Sequence, residues 1–409
     1  MSEREQVALR SERPLKKAAS GDAARYEAVL AEARQIQGVS LARDSLRRLL
    51  KNRAAVAAGV FLGVLLMLTV LTPLLPLQSP RDIDPESRMF LPPNFNSVRL
   101  NLDPAEIAAA NERIAAARQE LASAPSAKSR DDYSAALRSH PFERLWTRPG
   151  WITRSLLSAR LRLFGTWCVP SLFGTDSLGR DVLSRTLWGA RVSLMVGVLA
   201  TAVALLIGVT MGAIAGYAGG WTDAGIMRFV DVIDSVPFIF VVILINTILG
   251  EDTIKGWLAR HNISRLTVMF IIIGCYYWLT MARIVRGQIL SLKHEQFVDA
   301  ARVIGARAGR IVFRHLVPNV LGIVIIYLTL TIPSVMLFEA FLSFLGQGVE
   351  PPDVSLGWLV NEGVRVITPL KIFWWLVLFP SLTLALTLFA LNFLGDGLRD
   401  ALDPRLKNR

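Results

Sequence analysis

The sequence predicts an all-α membrane protein with six transmembrane helices and a helical extracytoplasmic insertion between spans one and two. Three observations predict it. Six stretches stay apolar over the ~20 residues that a lipid-crossing helix needs: roughly 54–77, 192–217, 229–249, 266–290, 316–345 and 372–394. Hydrophobic residues make up 52% of the 409, a share high for a soluble domain. Lys and Arg are spread unevenly, crowding before the first stretch and after the fourth and sixth.

The polar block before span one, residues 1–53, reads as a cytoplasmic tail. Tyr26, Val29, Leu30, Ala33 and Ile36 keep helical spacing. Leu41, Leu46, Leu49 and Leu50 do the same and predict an amphipathic helix along the membrane surface. Arg43, Arg47, Arg48, Lys51 and Arg53 then hold the N-terminus in the cytoplasm. The apolar run that follows begins too deep for an ordinary signal peptide and reads as a retained first span.

Residues 78–189 are expected outside, as an insertion followed by an interfacial helix. Asp103 is a candidate N-cap, with Pro104 at the first helical position and Glu106 three residues after the cap. Ile107, Ile114 and Leu121 recur every seven residues, with Ala110 and Ala117 between them. That narrow stripe suits one partner helix. Residues 130–141, across the turn at Pro125, supply a candidate for it. The hairpin reads either as a spacer or as a contact surface for a soluble delivery protein.

The membrane core is expected over 190–395, with a short cytoplasmic tail at 396–409. Span two carries Ala200, Ala204, Gly208, Gly212 and Gly216, each four residues after the last. Small residues at that spacing let another helix come close. The row drifts around the helix, so a crossing is expected rather than a long contact. Pro237, Pro333 and Pro380 lie inside spans three, five and six and predict kinks. Asp231 and Asp234 open span three beside Arg228. They read as capping carboxylates or as pathway residues. Glu339, within span five, must face protein or a water-filled cavity. An ion pair and a pathway role both fit it.

The chain offers no catalytic signature. It has no G-x-x-x-x-G-K-S/T loop, no H-E-x-x-H, no G-x-S-x-G and no paired cysteine motif. Cys168 and Cys275 predict no disulfide, since Cys275 lies in an apolar run. The histidines His140, His261, His294 and His315 form no i,i+4 pair, so no metal or other cofactor is expected. The net charge of +12 reads as an orientation signal beside a lipid bilayer. No basic patch interleaved with aromatics points to nucleic acid.

Between spans four and five lies a cytoplasmic loop, 283–317, with seven Lys and Arg from Arg283 to Arg314. Phe297, Ala301, Ile304, Ala308 and Ile311 step by 4, 3, 4 and 3, one face of a helix. Gly305 and Gly309 interrupt it, each costing about 1 kcal/mol relative to Ala inside a helix. A short helix, a glycine turn and a second helix leading into span five are expected. Ala300, Ala301 and Gly305 then offer a surface that a partner's groove can approach. The alternative is a surface helix held by anionic lipid.

This block resembles the "EAA" loop of ABC importer permeases: Glu-Ala-Ala, three residues, Gly, nine residues, Ile-x-Leu-Pro. Here it reads Asp299-Ala300-Ala301, Gly305, then His315-Leu316-Val317-Pro318, with Asp for Glu, His for Ile and Val for Leu. The stretches 173–194, 216–237, 339–352 and 392–405 resemble the second, C-type permease subunit of oligopeptide/dipeptide importers, with nickel permeases close by. The resemblance covers about 173–405 and span one; it leaves 78–170 and the N-terminal tail aside.

That resemblance implies a type I ABC importer permease fold in a bacterial inner membrane, both termini cytoplasmic. It implies a homologous second permease subunit, two ATPase subunits and an extracytoplasmic substrate-binding protein as partners. ATP hydrolysis would lie on the ATPases, so this chain is expected not to be an enzyme. Asp299, Ala300, Ala301, Gly305 and Pro318 would form the coupling element, and 174–181 an outer-surface turn leading into span two. A nickel or other small-solute permease, a stand-alone secondary carrier and a membrane-anchored scaffold are the alternative readings.

Overall fold

A computed structural model describes residues 41–96, 98–100, 104–124, 126–142, 150–261, 265–349 and 353–402. The expectations for Tyr26–Ile36, for the Asp103 cap and for the tail beyond 402 lie outside them. The chain divides after Lys51. The first unit contributes one described helix, α1 (Leu41–Lys51), on which Leu46 and Leu50 are exposed.

The second unit begins with α2 (Arg53–Val70), capped by the Asn52 side chain, which accepts from Ala55 N. It ends seven residues before the expected boundary at Leu77, because residues 71–75 coil in place: Leu74 and Leu75 N–H both donate to Leu71 O. A short turn of helix, α3 (Pro85–Arg88), precedes the insertion. The expected hairpin is present as α4 (Pro104–Ser123) and α5 (Ala127–Arg138), packed together. Along α4, Ile107, Ala110, Ile114, Ala117 and Leu121 are the shielded positions of the apolar stripe, as the spacing predicts. Ser126 and Ser129 form a reciprocal capping box at the start of α5. Helix α6 (Trp151–Phe164) follows, and two two-residue strands, β1 (Val98–Arg99) and β2 (Trp167–Cys168), pair antiparallel. Leu100, Phe142, Leu157 and Cys168 make a small core that Ile107 joins. Cys168 is buried and Cys275 exposed, both free.

Among the described residues five helices are long and apolar enough to cross a membrane, and a bent pair makes a sixth candidate. Span two is α7 (Val182–Ala218), 37 residues, starting ten residues before the expected boundary. The expected interfacial helix is simply its first turns. Span three is not one kinked helix. It breaks into α8 (Gly220–Asp234) and α9 (Phe238–Leu249), bent by 78°. The break falls on Ser235, Val236 and Pro237, and Pro237 disfavours helix in the residue before it. A short helix, α10 (Asp252–Arg260), leads to α11 (Arg265–Leu292). After the loop come α14 (Val317–Phe344), α15 (Leu356–Arg365) and α16 (Trp374–Leu402); two shorter helices of the loop, α12 and α13, are described below. Pro333 and Pro380 lie within continuous helices rather than at breaks. Helix α16 runs on past the expected end of span six at Leu394 and into the expected tail.

Helices α7 and α11 form the spine. They run parallel: Ala200 lies against Gly274, Gly208 against Met281, Gly212 against Ala282 and Val285, and Gly216 against Arg286 and Ile289. The small-residue row therefore stays in contact over 16 residues, or ~24 Å of helix. This overturns the expectation of a brief crossing. A row at i±4 spacing remains at the interface because the two helices wind about each other. Since both run the same way, the chain between Ala218 and Arg265 must return along the pair, and α8–α9 makes that return. One core cluster at the first end joins α7, α9, α11 and α14 through Val196, Val242, Ile273 and Val335. Another at the far end joins α7, α11 and the loop through Ala213, Val285, Ile289, Val298 and Ile311.

A side chain at Gly212 would collide with the Ala282 backbone. Gly212→Val should lower stability in detergent by about 1–3 kcal/mol or more. Gly225→Ala, on a surface where a methyl meets nothing, should hold or raise it by up to about 1 kcal/mol. Chemical unfolding followed by circular dichroism checks both.

Candidate functional site

The loop after α11 folds as a helix, a turn and a second helix. Helix α12 (Gln296–Val303) ends in a reverse turn in which Ala306 N–H donates to Ala301 O and Gly305 N–H to Arg302 O. This is the Schellman pattern, and Gly305 takes the left-handed conformation it requires, φ +81°. Gly309 breaks nothing. It sits in α13 (Ala308–Arg310), which runs through a π-helical stretch, Ile311–Leu316, into α14.

That π stretch ends just before Pro318. A proline cannot donate to the carbonyl four residues back and crowds it. The wider turn relieves the conflict. The Asn319 side chain adds a bond of its own, donating to His315 O at 2.6 Å.

The expected apolar face of Phe297, Ala301, Ile304, Ala308 and Ile311 does not form. The turn at Gly305 ends the helical register, so Ile304, Phe297 and Ala308 are exposed. The buried residues are Val298, Ala301, Ile311, Val312 and Leu316. Ala301 thus packs inward, and only Ala300 and Gly305 of the three small residues reach the surface. Asp299 is exposed and pairs with Arg302 at 2.9 Å; Pro318 is exposed. The Arg302 guanidinium lies over the Tyr217 ring, 5.8 Å from its centre, and Lys293 Nζ donates to Gly216 O at 3.1 Å. These contacts tie the loop to the end of α7. What protrudes is an apolar tip, Val303 (88% exposed) and Ile304 (85%). Sequence reasoning assigned no docking role to Val303 and placed Ile304 on the inner face. The signal was two adjacent apolar residues just before the turn glycine.

Asp231 and Asp234 sit at the C-terminal end of α8, not at a helix N-terminus, so capping is not their task. Their partner is Arg283 on α11, at 3.1 and 2.9 Å, and not Arg228. One turn further along, Arg286 grips Asp223 with two nitrogens, at 2.5 and 2.6 Å. Both arginines lie on the helix that leads into α12.

Glu339 is fully buried and makes no ion pair among the described residues. Serine hydroxyls satisfy it instead. Ser193 Oγ donates to Oε2 at 3.0 Å and Ser343 Oγ to Oε1 at 2.6 Å. Ser343 accepts in turn from Ser355 Oγ (3.1 Å) and Val349 N (3.2 Å), and Ser193 accepts from Leu356 N (3.2 Å). One carboxyl group thereby joins α7, α14 and the start of α15.

The same end of α7 holds a charge network. Arg185, almost wholly buried, meets Asp176 at 2.5 Å and Glu362 at 2.6 Å. Arg180 reaches the same two acids at 2.7 and 3.3 Å. Asp181 caps α7, accepting from Ser184 N and Oγ at 2.8 Å each. Burial pushes its carboxyl up to about 6.

The sequence matches known proteins. A family profile described as "binding-protein-dependent transport system inner membrane component" matches residues 208–408. Another, "N-terminal TM domain of oligopeptide transport permease C", matches 40–93. The oligopeptide transport system permease protein OppC of Haemophilus influenzae is 47% identical over 233 residues, 57% of this chain and 70% of that protein. The chain belongs to the C-type permease family of oligopeptide and dipeptide transport systems. Salmonella typhimurium OppC is 48% identical over 57% of this chain and 72% of its own. The dipeptide transport system permease protein DppC of Bacillus subtilis is 43% identical over 58% and 69%. Neither family profile covers residues 94–207 of this multi-pass membrane permease.

Two contrasts follow. Arg283→Gln removes half-exposed ion pairs and should cost under about 1 kcal/mol. Glu339→Ala opens a cavity and strands buried hydroxyls, and should cost about 2–5 kcal/mol, with Glu339→Gln between the two. Unfolding curves in detergent compare them. For Asp181 the folded group holds its proton more tightly than the unfolded one. Its contribution to stability should be most favourable below about pH 4, fall by roughly 3 kcal/mol at most as pH rises to about 6, and then level off. Asp181→Asn should flatten that profile.

Proposed function

We infer that this permease forms half of the translocation pathway of an ATP-driven importer for short peptides, with the loop around α12 as the ATPase dock. The observation that carries the coupling role is the exposed pair Val303 and Ile304. They sit on a helix anchored from behind by Val298 and Ala301 and ended sharply at Gly305. An apolar tip held by its own core is suited to a groove on another protein. Asp299, Ala300 and Gly305 frame the tip; Ala301 and Pro318 hold its shape.

The peptide class rests on the relatives, two named for oligopeptides and one for dipeptides. The family's mode of working supplies the partners: a homologous permease subunit, two ATPase subunits and a substrate-binding protein on the far side. In this reading α8–α9 is one broken span, giving six crossings and both termini in the cytoplasm. The network of Asp176, Arg180, Arg185 and Glu362 then faces outward, as does the insertion. It stands about 45 Å along α7 from the coupling loop. Asp231, Asp234 and Arg283 lie on the route between, on helices that the loop would move. ATP hydrolysis belongs to the ATPases.

Val303→Asp with Ile304→Asp should leave the chain folded in the membrane. It should reduce both ATPase co-purification and ATP-dependent uptake at least tenfold. Uptake into vesicles is measured over short peptides, sugars and nickel, with the cognate binding protein present. Undiminished uptake by the double variant removes the coupling role. Uptake without ATP removes the importer reading, and preference for nickel or sugar removes the peptide assignment.

A further inference from the structure

Helix α6 lies in the segment that neither family profile covers, and its two faces differ sharply. Leu157 and Arg160 are buried, and Leu161 packs beside them on Leu100, Phe142 and Cys168. The outer side shows Trp151 (79% exposed), Ile152 and Leu163 (68%); Phe164, at the last position of the helix, and Trp167 on β2 are exposed as well. So much apolar and aromatic surface on one short segment calls for a covering partner.

The segment's level in the molecule identifies that partner. Val169 N–H donates to Pro76 O at 2.7 Å, and Arg160 Nη2 donates to Leu77 O at 2.8 Å. Residues 76–77 sit just beyond the end of α2, because the chain from Leu71 coils instead of extending. The aromatic face is thus fixed at the rim of the first span. There the exposed Val64, Met67 and Val70 of α2 already present a lipid-facing surface. The charge pattern agrees. From 151 to 168 the sequence has three arginines, Arg154, Arg160 and Arg162, and no acid. Exposed Arg162 stands on the same outer face of α6 as Ser155, Ser158, Ala159 and Leu163. Of the three arginines, Arg162 is the exposed one, and an exposed arginine among apolar and tryptophan side chains suits the interface of an anionic membrane.

We propose that α6 and Trp167 lie in the headgroup layer of the bilayer, with an anionic phospholipid headgroup at Arg162. This would make α6 a second membrane anchor that holds the insertion against the lipid surface. The proposal rests on the chain being a membrane protein and is independent of the coupling role.

Nitroxide labels at Leu163→Cys and Trp151→Cys test it, with Cys275→Ser and the buried Cys168 left in place. The full-length chain is reconstituted with whatever subunits co-purify. Vesicles are phosphatidylcholine with or without phosphatidylglycerol. In phosphatidylglycerol vesicles both labels should collide with oxygen more than with a water-soluble nickel chelate, at a depth of ~5–10 Å. A label at Glu112→Cys on α4 should stay open to the chelate. Omitting phosphatidylglycerol, or adding Arg162→Gln, should raise chelate access at Leu163 at least twofold. Labels open to the chelate in both lipids overturn the proposal. Labels shielded from both reagents overturn it too, because protein then covers the face. An identical response in neutral and anionic vesicles overturns the headgroup assignment.

Discussion

The close parallel packing of α7 on α11 is the constraint on which the rest of the structure depends. Backbones approach this tightly only where side chains are absent or small, and Ala200, Ala204, Gly208, Gly212 and Gly216 supply that along one ridge. Two consequences follow directly. Parallel neighbours require a returning segment, so the break at Pro237 is part of the connection rather than a flaw in a span. The far ends of both helices also finish at the same level, which gives the loop around α12 a floor made from two elements. Val298 packs into that floor, and the Tyr217–Arg302 and Gly216–Lys293 contacts clamp it from the side.

At the other end of α7, buried polar groups are gathered against one another. Glu339 has its serines, Arg185 its two acids, and Asp181 the first turn of the helix. A buried carboxyl group with hydroxyl donors avoids the cost of a bare charge in an apolar surround. It also makes geometry stringent, since three separate segments must arrive together. The two ends of the spine differ accordingly. One is a dense polar knot; the other is an apolar joint carrying an exposed tip.

What could be read in advance divides along sequence distance. The hairpin stripe of Ile107, Ile114 and Leu121 was legible because helical period is local. So was the helix–turn–helix at Gly305. The break at Pro237 was not, because a proline weakens a helix without saying whether neighbours will hold it together, as they do at Pro333 and Pro380. Of the partners of Glu339, Ser343 is one helical turn away, but Ser193 was hidden because it is 146 residues away. Asp231 and Asp234 were given the wrong end of a helix for a similar reason: their partner, Arg283, is set by how α8 folds back on α11. Ala301 belongs to the stepping apolar pattern and is buried in one cluster with Ile311, whereas Ile304 and Ala308 are exposed because the turn at Gly305 ends the helical register.

The parallel spine also changes how the basic residues around the loop are understood. Each helix carries roughly half a negative elementary charge at its C-terminal end from its aligned peptide dipoles. Antiparallel neighbours would cancel these. Here α7 and α11 finish side by side, at Ala218 and Leu292, so their partial charges add. Lys293 donates to one of the terminal carbonyls, and Arg302 stands over Tyr217 beside it. The positive residues there neutralise a field that the fold itself creates, and a chain that lost them would be left with an uncompensated negative pole beneath the site where α12 must seat.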